Sequence, residues 1–294
     1  MKVIANGKTY EAEAGATVAA FIRERGMDPA FVIVERNGES VPRERYEDER
    51  LAEGDLLELV RAVAGGAAPE STLGRGDLGE WRRRRLAASR LYVVTGARAE
   101  RGDLEEFLEA ILDAGTDVIQ LREKDAEAGD LLRWAETFRA AAERHQALFF
   151  VNDRADVALA AGADGVHVGQ NDLPPSFVRE LVGPDVLIGL STHGQAQFDA
   201  AAAQADCLSV GPVYATPTKP GRPATGRAYV RFAASREAEG AETRPWFAIG
   251  GIDAGTLLDV KAAGARRIVV VRAVTEAEDP GEAVRALTAL LPAV

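Results

Sequence analysis

From residue 91 to residue 274, short β-rich runs recur eight times with helix-patterned segments between them, and this alternation constrains the fold more than any other feature of the chain. The runs are 91–95, 118–123, 148–153, 165–169, 187–192, 207–213, 246–252 and 267–274. Intervening stretches such as 104–114, 131–144 and 256–263 carry the apolar spacing of amphipathic helices. Strand, crossover helix and strand in repetition build a parallel sheet. Eight such units in about 200 residues close into a compact (β/α)8 TIM barrel, placed here at residues 90–294.

With 294 residues the chain has room for a second, smaller domain. Residues 1–66 read as one. A strand at 2–5, the tight turn Asn6-Gly7 and a strand at 9–12 precede a helix capped by Thr17, with Val18, Phe21 and Ile22 as its buried stripe and Gly26 as its stop. A strand at 31–35, a second Asn37-Gly38 turn and a last strand at 56–63 behind Gly54-Asp55 complete the pattern. Two hairpin turns around one helix predict a ubiquitin-like β-grasp domain. Composition then changes, and 67–89 read as a linker. Its arginine run, 82–85, is expected to be a solvated or partly helical connector rather than a nucleic-acid or membrane contact.

That preference follows from charge. A net charge of -11 argues against a nucleic-acid partner, since binding a phosphate backbone relies on a broad basic surface. Anionic ligands must then be held by local positive groups. No apolar window approaches the roughly 18 residues of a membrane span, and the first residues break into a turn before any long apolar run, so a cytoplasmic protein is expected. Cys207 is the single cysteine, which excludes an intrachain disulfide or a thiolate metal cluster within one chain. The sequence does not fix an oligomeric state, and a homo-oligomer is compatible with it.

In TIM barrels the active site lies at the C-terminal ends of the strands, and in this chain those ends are strongly polar. The second run ends Gln120-Leu121-Arg122-Glu123-Lys124, where alternate residues share a face, so Gln120, Arg122 and Lys124 are expected to converge. The third ends Asn152-Asp153, and the fourth is followed by Gln170-Asn171-Asp172. Asp153 and Asp172 form a candidate site for a hard cation, because magnesium favours one or two carboxylates plus water and substrate phosphate oxygens. The fifth ends Ser191-Thr192-His193, and the sixth runs into a loop holding Thr216, Thr218, Lys219 and Arg222. Gly250 and Gly251 end the seventh, and the eighth carries Arg272. Loops after strands seven and eight commonly bind phosphate through backbone N–H groups. Three separate positive regions with a carboxylate pair point to two phosphorylated substrates, one carrying its phosphates on a metal.

In order along the chain, 120–124, Val151-Asn152-Asp153, 165–172, 189–193, 211–219 and 249–252 resemble the motifs of thiamine-phosphate synthases, and the match spans essentially all of 91–294. The resemblance implies that Gln120, Arg122, Lys124, Asn152, Ser191 and Lys219 hold a pyrimidine diphosphate, with Arg122, Lys124 and Lys219 serving catalysis. It assigns Asp153 and Asp172 to Mg2+, and Thr216, Thr218, Gly250, Gly251, Val271 and Arg272 to a thiazole phosphate. Arg272 departs from members that have serine there. The first 66 residues resemble thiamine sulfur carriers through Asn37-Gly38-Glu39, Val41-Pro42 and Gly65-Gly66. That resemblance implies an adenylating enzyme and a thiazole synthase as partners. In such carriers the diglycine is a free C-terminus, whereas Ala67 follows it here.

Simpler readings stand beside these. Asp153 and Asp172 also suit helix caps, Arg122 with Glu123 an ion pair that closes the barrel, and Gly250-Gly251 a plain turn. His167, inside an apolar strand, reads as a hydrogen-bonded core histidine, His145 as exposed, and Cys207 as a small buried hydrophobe. His193 is expected to face the site. Two other functions remain open at this point: an isomerase of the thiazole phosphate using His193 as acid/base without magnesium, and a non-enzymatic carrier or scaffold.

Overall fold

The computed structural model describes residues 1–6, 8–13, 15–25, 29, 32–61, 77–201, 203–216, 223–239 and 244–292. The chain divides into two compact units, Met1–Leu78 and Gly79–Val294.

In the first unit, β1 (Lys2–Ala5), β2 (Lys8–Glu11), α1 (Val18–Glu24), β3 (Val32–Arg36), β4 (Glu39–Val41) and β5 (Leu56–Arg61) form a five-stranded sheet in the order β2-β1-β5-β3-β4. β1 and β5 pair in parallel at its centre, and the flanking pairs are antiparallel, as a β-grasp requires. The Thr17 hydroxyl accepts from Ala20 N–H at 3.1 Å and starts α1, whose Val18, Phe21 and Ile22 pack on Val3, Val34 and Leu57. Asn37 and Gly38 turn with φ of 55° and 84° between β3 and β4.

The boundary between the units falls in the first turn of α2 (Asp77–Ala88), most of which lies in the second unit. Within the segment read as a solvated or partly helical linker, residues 77–88 form a helix, and from Gly79 onward that helix belongs to the second compact unit. Leu86 packs with Tyr92, Leu148, Leu187, Cys207 and Phe247, residues from the barrel strands, and Arg82 is buried. Its guanidinium reaches Asp164 at 2.9 Å, while Arg83 meets Asp206 at 3.3 Å and Arg85 meets Asp117 at 3.2 Å. Each of these aspartates directly precedes a barrel strand and also accepts from a backbone N–H at the start of another strand: Leu91, Phe149 and Ile188.

Eight parallel strands follow: β6 (Leu91–Thr95), β7 (Val118–Leu121), β8 (Leu148–Asn152), β9 (Gly165–Val168), β10 (Leu187–Thr192), β11 (Cys207–Val210), β12 (Trp246–Ile249) and β13 (Ile268–Val270). They close as β10-β11-β12-β13-β6-β7-β8-β9. Between and after them lie α3 (Leu104–Asp113), α4 (Ala128–Arg144), α5 (Ala155–Ala160), α6 (Pro175–Val182), α7 (Gln195–Ala201), α8 (Gly226–Ala238), α9 (Leu257–Ala262), α10 (Arg272–Thr275) and α11 (Pro280–Leu290). All eight sequence runs appear as strands, six of them shorter than read and those at 91–95 and 187–192 unchanged. Arg272 is corrected from strand to the first residue of α10. No helix among the described residues is long and apolar enough to cross a membrane.

Candidate active site

Two cavities open at the C-terminal ends of the barrel strands. The smaller, about 80 Å³, is walled by Gln120 in β7 with Arg122 and Lys124 after it, Asn152 at the end of β8 with Asp153 after it, and Gly169 and Asp172 after β9. Two-residue periodicity does bring Gln120, Arg122 and Lys124 to one place. Gln120 is buried, and its amide donates to the Tyr92 hydroxyl at 2.6 Å. Lys124 Nζ lies 3.5 Å from Asp153 Oδ2.

Asp153 adopts φ 60°, a left-handed backbone that non-glycine residues seldom hold. Its carboxyl is pushed above the usual aspartate range, first by burial and then by the adjacent Asp172 carboxylate, against a smaller opposing pull from Lys124. Two carboxylates that repel each other beside a lysine are a site that gains from added positive charge. Asp172 is also held from below, its Oδ2 accepting from Gly169 N–H at 2.8 Å. A Cβ at Gly169 would sit 2.9 Å from that oxygen, so a larger residue there would make the Asp172 carboxylate shift. Neither aspartate is a simple helix cap, as Arg154 N-caps α5 and Pro174 N-caps α6. Glu123 is also placed elsewhere than the sequence suggested: its Oε1 accepts from Ala97 N–H at 2.7 Å.

The larger cavity, about 290 Å³, is lined by His193, Gly211, Pro212, Thr216, Gly250, Gly251, Asp253, Arg272 and Glu276 among others. Gly250 and Gly251 have φ of 104° and 66°, and a Cβ on Gly250 would lie 2.5 Å from the Pro212 side chain. Only glycine lets the two loops approach so closely. His193 does face this cavity, with Nδ1 2.6 Å from the Gly211 carbonyl. Thr218, Lys219, Gly65 and Gly66, as well as Arg222, lie outside the described residues.

Ser191, Ser209, Ile249, Val269 and Val271 line both cavities, so the two are neighbours across one wall. A family model described as thiamine monophosphate synthase matches residues 91–274. The thiamine-phosphate synthase of Acidothermus cellulolyticus is 52% identical over 210 residues, covering 71% of this chain and 97% of its own length. The chain belongs to the thiamine-phosphate synthase family. A Mycobacterium leprae thiamine-phosphate synthase is 53% identical over 223 residues, covering 71% of this chain and 93% of its own. The thiamine phosphate pyrophosphorylase of Pyrococcus furiosus superposes with a TM-score of 0.61 at 31% identity, covering 70% of this chain and 96% of that one. A second model, the ThiS family, matches residues 3–66, so a ThiS-family domain precedes the synthase barrel.

The synthase barrel is a transferase domain of thiamine biosynthesis. Sequence reasoning missed Tyr92 and Ser209 in its cavity walls, and His167, read as a hydrogen-bonded core histidine, is that and also lines the smaller cavity. A signal existed for Ser209: it is a hydroxyl in an otherwise apolar strand, two residues from Cys207 and therefore on the same face. Cys207 itself is buried at the barrel core, where burial pushes its thiol well up and leaves it inert.

Proposed function

We propose that the two joined cavities are the substrate sites for 4-amino-2-methyl-5-(diphosphooxymethyl)pyrimidine and a thiazole phosphate, which the barrel condenses to thiamine phosphate and pyrophosphate. The observation that carries this reading is the shared wall. A cavity bearing Arg122, Lys124 and an aspartate pair adjoins a glycine-cradled cavity bearing Arg272.

In this reading Gln120, Arg122, Lys124, Asn152 and Ser191 hold the pyrimidine diphosphate, joined by Lys219, and Gly250, Gly251, Thr216, Thr218, Val271 and Arg272 hold the thiazole phosphate. The bond from the methylene carbon to the diphosphate oxygen breaks, and its electron pair leaves with pyrophosphate. The thiazole nitrogen supplies the pair for the new carbon–nitrogen bond. Electron release from the aminopyrimidine stabilises a cationic methylene, so the residues mainly position the partners and neutralise the leaving charge. Asp153 and Asp172 fit Mg2+, being two hard oxygen donors whose mutual repulsion a cation relieves. When bound, the ion neutralises charge on the departing pyrophosphate. Replacing Asp172 with Asn should lower kcat by about a hundredfold. Turnover and magnesium dependence equal to the parent protein would remove Asp172 from this role.

The ThiS-family domain supports a second activity that depends on processing. Carrier chemistry needs a free carboxylate at Gly66, and Ala67 follows it in this chain. Cleavage after Gly66 would release a substrate for an adenylating enzyme and then a sulfur donor for a thiazole synthase. Intact mass in cell extract tests this: a 66-residue fragment ending in Gly66 supports the carrier, and full-length protein alone contradicts it.

A further inference from the structure

His167 lies in the floor of the site, 8% exposed, and has no part in the proposed binding of either substrate. Its Nε2 is 3.0 Å from Ser191 Oγ and 3.3 Å from Ser209 Oγ, so one ring atom serves two hydroxyls. The ring is clamped. A Cβ on Gly189 would lie 2.4 Å from Nδ1, so glycine there makes the room, and Tyr92 meets the imidazole edge-on at 6.5 Å. Ser191 and Ser209 are buried and are the polar side chains, among the described residues, that line both cavities. If the two cavities hold the two substrates, the reacting carbon and nitrogen meet at these hydroxyls.

A serine hydroxyl rotates to suit its surroundings and both donates and accepts. A fixed nitrogen shared by two such rotors removes that freedom. We propose that His167 is a positioning residue which sets the Ser191 and Ser209 hydroxyls toward the aminopyrimidine, aligning its methylene carbon with the thiazole nitrogen. This rests on the assignment of the two cavities to the two substrates.

The test compares side chains that replace different ring atoms in the full chain. Glutamine ends near the position of Nε2, and asparagine near that of Nδ1. His167→Ala should lower kcat by about tenfold to a hundredfold while the KM for thiazole phosphate changes little. His167→Gln should recover much of the loss and His167→Asn should not. Ser209→Ala should cost less, and should add nothing in the His167→Ala background because both act through one contact. Equal activity in the Gln and Asn variants, or additive losses, would overturn the proposal. Thermal melting separates these effects from misfolding, and the Gln variant carries the comparison if Ala does not fold. Nitrogen NMR of the His167 ring gives an answer that needs no turnover: the Nε2 signal should move in Ser191→Ala and Ser209→Ala, and a signal indifferent to both would overturn the proposal. A parent protein that makes no thiamine phosphate would instead defeat the assignment of the cavities.

Discussion

At the scale of single residues, backbone geometry and charge decide where each substrate can sit. Gly250 holds φ 104°, and any side chain there meets Pro212. Gly250→Ala should therefore cost about 1–3 kcal/mol of barrel stability and raise the KM for thiazole phosphate about tenfold, measured by chemical denaturation and initial rates. An unchanged KM would show that the cradle is not a phosphate site. Part of the site was legible because alternation along β7 turns Gln120 inward, and Arg122 and Lys124, just beyond the strand's end, line the same cavity. Tyr92, His167 and Ser209 were less legible, since an inward side chain at the last turn of a barrel core looks the same in sequence as one a layer deeper. Arg272 was misplaced because the run of valines before it continues the strand pattern, while the backbone turns into α10 after Val271.

Among the elements, α2 shows how far composition can mislead. Four consecutive arginines read as a solvated or partly helical connector; they do lie on a helix, but three of them meet the aspartates that precede β7, β9 and β11. A sequence cannot show that Asp117, Asp164 and Asp206, far apart in the chain, line one end of a barrel. Arg82 is the most buried of these arginines, and Arg82→Ala should destabilise the barrel by about 3 kcal/mol because Asp164 is left without its partner. A loss below about 0.5 kcal/mol in denaturant titration would place this pair with weak surface bridges. In the β-grasp domain Asp55 is buried, which alone would raise its pKa. The Ala52 N–H, Arg36 and Asn37 outweigh that and hold the carboxyl below the usual range. A lowered folded-state pKa gives stability that is present above the unfolded value and is lost as pH falls through the folded one. The isolated 1–66 domain should thus lose stability on acidification below the ordinary carboxylate range, and Asp55→Asn should flatten that dependence in pH-resolved thermal melts. An equally steep acid loss in the variant would contradict this origin.

For the whole molecule, the periodic alternation was enough to give a closed eight-stranded barrel, and two asparagine-glycine turns around a helix were enough to give the β-grasp sheet. What the sequence blurred was the boundary, because α2 has no apolar stripe beyond Leu86 and Trp81 to mark it as part of a core. A chain beginning at Asp77 should keep the synthase activity of the full chain, while one beginning at Ser89 should be unstable, as circular dichroism and rate measurements would show. The proposed roles of both cavities depend on the barrel joining two phosphorylated substrates across one wall. The direct test mixes the full chain with the pyrimidine diphosphate, the thiazole phosphate and magnesium, and follows both products. Thiamine phosphate and pyrophosphate formed in equal amounts, and abolished by a chelator, are the expected result; folded protein that binds both substrates yet forms neither product would contradict it.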